Sequence, residues 1–494
     1  MNCAWQSFSR ADLSGRIEPY ILSSMERDVY QSRDVEPALL LTPNRLDILA
    51  RLAFLEMEEV DPTFGEEVYF ETIRAQSDGA FKDPHNFSRK SFENYLGTFR
   101  GLSQSLKNGF SSNGPFVPLA SDGSILNGAH RVAIALFNGF KVPTIQTELK
   151  PVNADFYYLQ TRGVSEDHLL HLLSLFSKYA PDVYMAIFWP IAEKLGIGPG
   201  MLQENVGTVQ LHGNLQMVKN IAYEAYKDMD WIGTPSDKFR GLDSKLAIST
   251  GGLREKQSVL VSIFQEKKGL DEVRRLKEAL RSGDNGSTRA VHITDDSNET
   301  NRMAALLFCR SGRHFLRVAN PFRFDTRTKL TPIREKVRRL DVESTSFAID
   351  GSAVLGLFGL REPRDLDFLS LDDEVALSLG AEARTEQLRY HEEAARRLIQ
   401  SPRFHFVLDE LHVISLEQVA RMKRNRLEAK DVHDLGLLEP VLGRENKARG
   451  PSRAARLRLF RVRFLKAIRG VIGRFLRPIG LEQVARRWYE KRFQ

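Results

Sequence analysis

Two carboxylates two residues apart, Asp365 and Asp367, follow a Gly351-Ser352 pair by about a dozen residues and sit between apolar neighbours. On a strand, residues i and i+2 share a face, so both acids would point one way while Leu366 and Phe368 enter the core. Like charges on one face repel unless a cation lies between them. Mg2+ suits that position, because it is a hard ion that takes oxygen ligands and lets a nucleotide's phosphates complete its shell. The elements needed to position the acids are legible around them. Phe347, Ala348 and Ile349 form an apolar strand entering the turn, and Gly351 permits backbone geometry that a side chain would hinder. Ser352 is expected to cap a short helix, and a second strand carries the acids. A helix N-terminus facing them would add backbone donors for phosphate.

This stretch resembles the polymerase-beta-like nucleotidyltransferase superfamily. That family's pattern is a hydrophobic residue, Gly, then Gly or Ser, and later acid-x-acid between apolar residues. Leu355 and Gly359-Leu360-Arg361 also look like the subgroup that modifies small molecules, toxin targets or surface glycans. The resemblance covers about residues 336–442. It implies catalytic, metal-binding roles for Asp365 and Asp367, nucleotide contacts from Gly351, Ser352 and Arg361, bound Mg2+, and ATP or another NTP as substrate. A third carboxylate is expected on a later strand, and Asp409 or Glu410 in FHFVLDELHVI are the candidates, although both read as hairpin-turn residues. The segment from Lys423 through Arg426 to Lys430-Asp431 and Asp434-Leu435 is similar to the helices that follow the catalytic sheet in that subgroup. It implies that Lys423 faces nucleotide phosphates, while Lys430 and Asp431 position the helices. The alternative for these charges is surface salt bridging.

A second constellation lies at Phe116 to Ile145. A strand (Phe116 to Leu119), a Ser121-Asp122-Gly123 turn and a short strand (Ile125-Leu126) lead to Gly128-Ala129-His130-Arg131, which opens an apolar helix ended by Gly139. Lys141 to Ile145 returns as a strand. A glycine turn opening a helix beside His130 and Arg131 would make an anion pocket of backbone donors, an imidazole and a guanidinium fork. The segment is similar to the ParB/sulfiredoxin fold over about residues 61–150, with Ala129 where a sulfiredoxin carries its reactive cysteine. The resemblance implies nucleotide binding through Gly128, His130 and Arg131, with Ser124 contributing and His130 catalytic. In the family's small-molecule kinases a carboxylate base activates the acceptor, and Glu71, Asp83 or Glu93 could serve. Against this stands a structural His130, hydrogen-bonded beneath the helix.

The 494 residues are enough for three to four domains. Cys3 and Cys309 are too far apart in sequence to suggest a disulfide or zinc framework, which fits a reducing cytoplasm. The sequence holds no apolar run of spanning length and no apolar signal core near its start. The net charge of +7 is unevenly spread. Residues 444–494 hold 16 Lys+Arg and 3 Asp+Glu, leaving 55 basic and 61 acidic residues elsewhere. An acidic body makes nucleic acid an unlikely partner. Residues 453–478 read as an amphipathic helix with a basic face, suited to an anionic membrane surface at the inner face of the plasma membrane. A helix docked on the acidic body and a nucleic-acid tail are its alternatives.

The rest divides into an N-terminal segment (1–60) with a helix over Pro43 to Ala53, a helical region (151–240) that includes Asp182 to Glu193, and an α/β middle domain (241–335). His168 and His171, one helical turn apart, can place two metal ligands together, but a partly exposed helix is the simpler reading. Asp296 or Ser297 is expected to cap a helix after the strand Ala290 to Thr294. A further charged helix is expected over Ala381 to Gln400. The whole is expected to be a cytoplasmic, multi-domain α/β (α+β) protein: a nucleotidyltransferase acting on a small phosphorylated sugar or polyol, bifunctional if the N-terminal domain is a kinase. Domain pairing suggests surface polysaccharide synthesis. Two other classes remain open: a non-catalytic, partition-like regulatory module that binds nucleotide, and a toxin or defence nucleotidyltransferase acting on protein or RNA.

Overall fold

In a computed structural model, the apolar strands pair into three four-stranded sheets; it describes residues 5–83, 90–234, 237, 239–252, 257–282, 290–340, 344–372, 374–375 and 385–443. With 51% helix and 17% strand the chain is mixed α/β. The first sheet takes β1 (Gln6–Ser9), β2 (Val29–Val35), β3 (Val117–Leu119) and β4 (Val142–Gln146) in the order β1-β2-β4-β3. β3 and β4 are parallel, and the crossover between them is the helix Ala129–Asn138. Gly128 (φ +96) opens that helix and Gly139 (φ +75) closes it, both in the left-handed region that favours glycine. The helix Asp47–Met57 is almost wholly buried, so it is a core element rather than an amphipathic surface helix.

The second sheet holds β5 (Val183–Phe188), β6 (Asn205–Gly213), β7 (Gln257–Gln265) and β8 (Val291–Ile293), ordered β6-β7-β5-β8 and antiparallel throughout. Here the sequence expectation fails. Val183 to Phe188 is a central strand, not part of a helix. A continuous run of β-branched and aromatic residues cannot be told from a buried helix by periodicity, and every residue of β5 is buried. The pairing of β5 and β6 with β7 also means that the expected boundary at residue 240 would cut through a sheet. Likewise β1 and β2 belong with β3 and β4, so the expected boundary at 60 does not separate two units.

The third sheet holds β9 (Phe347–Asp350), β10 (Asp367–Ser370), β11 (His405–Leu408) and β12 (Leu411–Ile414), ordered β10-β9-β12-β11. β12 runs parallel to β9, with Val413 beside Ile349, so the C-terminal ends of both strands lie at one end of the sheet. The described part of the expected helix over 381–400 is a 3₁₀ turn (Thr385–Tyr390) and a short helix, Ala395–Gln400. A buried apolar cluster runs from Val35 to Leu438 and joins residues of all three sheets. Charged groups add a staple: Arg327 pairs with Glu224 and with Asp409 in the β11–β12 turn, and Lys227 pairs with the same two carboxylates. No helix among the described residues is long and apolar enough to cross a membrane. The basic segment 453–478 lies outside the described residues.

Candidate functional site

β9 carries no polar side chain until its last residue, Asp350, because Phe347, Ala348 and Ile349 fill the core. The chain then turns at Gly351, with φ +61, into the helix Gly351–Leu357. The left-handed backbone is one reason for glycine here, and space is another. A Cβ at residue 351 would stand 2.7 Å from Asp367 Oδ2, so the turn backbone packs directly against the acid. Asp350 and Asp367 are register partners across β9 and β10, which puts their side chains on the same side of the ladder. Two expectations are corrected here. Ser352 does not cap the helix; Asp350 occupies the cap position, and Ser352 Oγ instead lies 3.2 Å from both the backbone oxygen and Oδ1 of Asp365. β10 begins at Asp367, so Asp365 sits on the exposed bend before the strand while Asp367 is buried.

A layer of alternating charges surrounds the acids. Arg361 bonds Asp434 with both Nε (2.6 Å) and Nη2 (3.1 Å). That bond, and beyond it the fields of Asp365 and Asp367, raises the guanidinium's pKa. Arg426 bonds Asp431 in the same forked way and also lies in the field of Asp367. Lys423, 1% exposed, is enclosed between Asp431 (3.3 Å) and Asp434 (2.8 Å). The resemblance implied that Lys423 faces phosphates, but its ammonium is enclosed by two carboxylates. It is a positioning residue: it orients the aspartates that orient Arg361 and Arg426. Asp431 also closes a capping box with Glu428 at the start of the helix Ala429–Leu442. Burial pushes the pKa values of Asp431 and Asp434 up, but their cationic partners outweigh it and hold both carboxylates below the ordinary range.

Asp409 does not join Asp365 and Asp367. It precedes β12, whereas Asp350 and Asp367 lie at the opposite end of the sheet, beyond Ile349 and its partner Val413. It is instead salt-bridged to Arg327 and Lys227. Glu410 pairs with Arg338. Sequence reasoning missed Asp350 as a partner of the acids. The side chains of Asp350 and His391 are both fully buried, with Oδ2 3.0 Å from Nε2, while Asp350 Oδ1 and His391 Nδ1 have no hydrogen-bond partner among the described residues. The available signal was an acid placed directly before the Gly-Ser turn.

The N-terminal constellation is assembled differently from its expectation. Arg131 is buried, donating to Phe116 O (2.9 Å) and Glu18 (2.8 Å), so its guanidinium is committed to the fold and offers no fork to a phosphate. Burial, only partly offset by Glu18, lowers its pKa. His130 Nε2 lies 2.7 Å from Tyr69 Oη, and the ring packs on Phe99, which matches the structural reading of this histidine. Gly128 packs against Val117 and the Arg131 guanidinium, and Ser124 is buried and bonded to Asp122 and Asn44. Of the expected bases, Glu71 is taken by Ser165 N and His168, and Glu93 sits at an exposed helix start capped by Ser91. Asp83 is near enough to Tyr20 that, after burial and Glu18, its charge helps to raise that phenol's pKa. The Glu71–His168 bond commits one of the two histidines of the helix Glu166–Tyr179, although both rings pack on Phe64. His171 packs on Phe64, and burial lowers its pKa to about 3.

Among the described residues no group of three or more His, Cys, Asp or Glu side chains could hold a metal ion by itself. The donor set at the turn nevertheless fits Mg2+, which is commonly held by one or two carboxylates with substrate phosphates and water supplying the rest. Asp365 and Asp367 would be those carboxylates; Asp350, the register partner of Asp367, keeps an unpartnered Oδ1. No protein-family model, curated protein or solved structure matches this chain.

Proposed function

We propose that residues 344–443 act as a Mg2+-dependent nucleotidyltransferase on a small phosphorylated sugar or polyol. The observation that carries this reading is the turn itself: a left-handed Gly351 packed against Asp367, with Ser352 bound to Asp365 and two guanidinium groups in the field of the acids. Glycine at that contact lets the turn backbone pack directly against the Asp367 carboxylate and so fixes where that acid stands. Arg361, part-exposed and oriented by Asp434, is the cation placed to meet phosphate oxygens. Asp365 and Asp367 would hold Mg2+, which when bound supplies charge neutralisation on the triphosphate. An oxygen of the acceptor's phosphate attacks the α-phosphorus, the bond to the β-phosphate oxygen breaks, and pyrophosphate leaves with that electron pair. The protein's part is positioning and electrostatic complementarity, with no covalent intermediate required. The buried ion-pair layer holds Arg361 and Arg426 rigid against the acids. The resemblance over Asp365, Asp367 and Gly351-Ser352 supports the same reading.

Nucleotide binding tests this without presupposing the acceptor. The four NTPs should raise the melting temperature of the protein in the presence of Mg2+ and not in EDTA, with Asp367→Asn abolishing the shift. A shift that is independent of Mg2+ and survives both Asp365→Asn and Asp367→Asn would refute the site.

A further inference from the structure

A cleft of about 600 Å³ lies away from the acid turn, where the helices Pro62–Gln76 and Glu166–Tyr179 face the edge strand β11 and the helix Leu416–Arg426. Its size falls in the range of small-molecule sites rather than macromolecular surfaces. Four carboxylates line it, Glu67, Asp167, Glu393 and Glu417, and the groups left to meet a ligand are mainly of two kinds. The first is cationic. Arg397 and Arg421 lining the cleft are committed to carboxylates, at 3.0 Å to Asp61 and 2.7 Å to Glu417. Arg310 is exposed and has no carboxylate partner among the described residues, and Arg403 is held only loosely, 3.7 Å from Glu67. Two guanidinium groups are therefore available to an anion from the same cleft, and guanidinium matches phosphate oxygens in a bidentate fork.

The second kind consists of buried acceptors without partners. Gln418 is 4% exposed and its Oε1 has no hydrogen-bond partner. The reason is local. Ser415-Leu416-Glu417-Gln418 has the sequence of a capping box, in which the glutamine would reach back to the serine N–H. Here that N–H is already given to Phe404 O at 2.8 Å, so the amide oxygen is left over. His405, 6% exposed, and His171 also keep an unpartnered ring nitrogen. Burial holds both imidazoles neutral at pH 7, so they cannot serve as phosphate cations. A buried acceptor without a donor is unfavourable, and a ligand hydroxyl donating to it would relieve that cost. Cys309 adds no reactivity, because burial raises its thiol pKa and its S–H faces the His405 carbonyl oxygen at 3.2 Å. Phe308 and Phe404 supply apolar lining.

We propose that this cleft binds a phosphorylated polyol of the sugar-phosphate class, with the phosphate on Arg310 and Arg403 and hydroxyls donating to the acceptors around Gln418. It is separate from the acid turn: β11 is two strands from β9, roughly 10 Å away. The two places are joined along the chain, since His391 holds Asp350 and Glu393, two residues on, lines the cleft.

Calorimetric titration of the full chain with glucose 1-phosphate, glucose 6-phosphate and glycerol 3-phosphate tests this, with glucose and inorganic phosphate as controls. At least one phosphorylated polyol should bind ten times more tightly than either control. Arg310→Ala and Arg403→Ala, both at exposed or part-exposed positions, should each weaken that ligand tenfold or more. Gln418→Leu should weaken it about fivefold while leaving inorganic phosphate unchanged. Asp365→Asn and Asp367→Asn should leave binding as in the parent chain, which separates this site from the proposed transferase chemistry. Absence of binding by all three probes overturns the proposal. Binding that ignores both arginine substitutions also overturns it, and inorganic phosphate binding as tightly as the best ester would reduce the cleft to a simple anion site.

Discussion

Gly351→Ala perturbs the proposed site at one atom. Residue 351 has φ +61, where an alanine costs about 1–2 kcal/mol relative to its preferred backbone. The added Cβ would lie 2.7 Å from Asp367 Oδ2, whereas ordinary contact begins near 3.4 Å. The carboxylate must therefore retreat by roughly 0.7 Å, and a displacement near 1 Å at reacting groups can cost about 10²-fold in rate. Pyrophosphate release by Gly351→Ala should fall tenfold to a hundredfold, while the urea midpoint falls by only about 0.5 M. Gly139→Ala is the backbone control. It also sits at positive φ, +75, at the end of the crossover helix of the first sheet, with nothing within 4 Å of its Cβ. It should lower stability by a comparable amount without lowering the rate of the protein that remains folded. A Gly351→Ala protein that turns over at the parent rate would refute the argument that glycine there sets the position of Asp367.

Asp409→Asn should act on stability and not on the metal. It leaves Arg327 and Lys227 short of one carboxylate in a site where Glu224 is 3% exposed, and breaking such a buried network costs about 3–5 kcal/mol. The Mg2+ dependence of the folded fraction should be unchanged; a shifted Mg2+ requirement would restore Asp409 as a ligand. The same network predicts acid sensitivity. Burial pushes the Asp409 pKa up, but Arg327 and Lys227 more than offset it and hold the carboxyl well below its unfolded value. Its stabilisation is therefore complete above about pH 4 and lost as pH falls from there. The stability gap between Asp409→Asn and its parent should be full at pH 7 and narrower, though not closed, at pH 3, because the folded carboxylate stays ionised there; a gap as wide at pH 3 as at pH 7 would contradict the assignment. Lys423→Met should lower both stability and transferase rate, because Asp431 and Asp434 lose the cation between them. Loss of rate at full stability would instead indicate direct phosphate contact. His391→Gln should lower the rate by displacing Asp350, and its Mg2+ requirement should rise; an unchanged Mg2+ titration would remove Asp350 from the site.

The parts of the fold written in local chemistry were legible in the sequence. The glycines at 128, 139 and 351 mark turns that need positive φ, and Asp296 caps its helix through Glu299 N as the Ser-Asn-Glu run suggests. The β11–β12 hairpin also stands where Phe404 to Ser415 placed it. What sequence could not give was long-range pairing. β5 reads as apolar with no period because both its faces are covered, and only its pairing with β7 and β8 identifies it as a strand. The roles of cations were hidden for a similar reason. Arg131 and Lys423 have the residue types of phosphate ligands, but Glu18 lies 113 residues from Arg131, and Asp434 enters beside Lys423 from the next helix. Asp350 was overlooked because its partner, His391, is 41 residues away.

The central claim is nucleotidyl transfer by Asp365 and Asp367. It is tested most directly by pyrophosphate release from the purified chain, with each of the four NTPs, Mg2+ and an extract of small metabolites, beside Asp365→Asn and Asp367→Asn. The account predicts Mg2+-dependent release with at least one nucleotide, dependent on the extract and abolished by either substitution. No release with any nucleotide, or release that both substituted proteins retain, would contradict it.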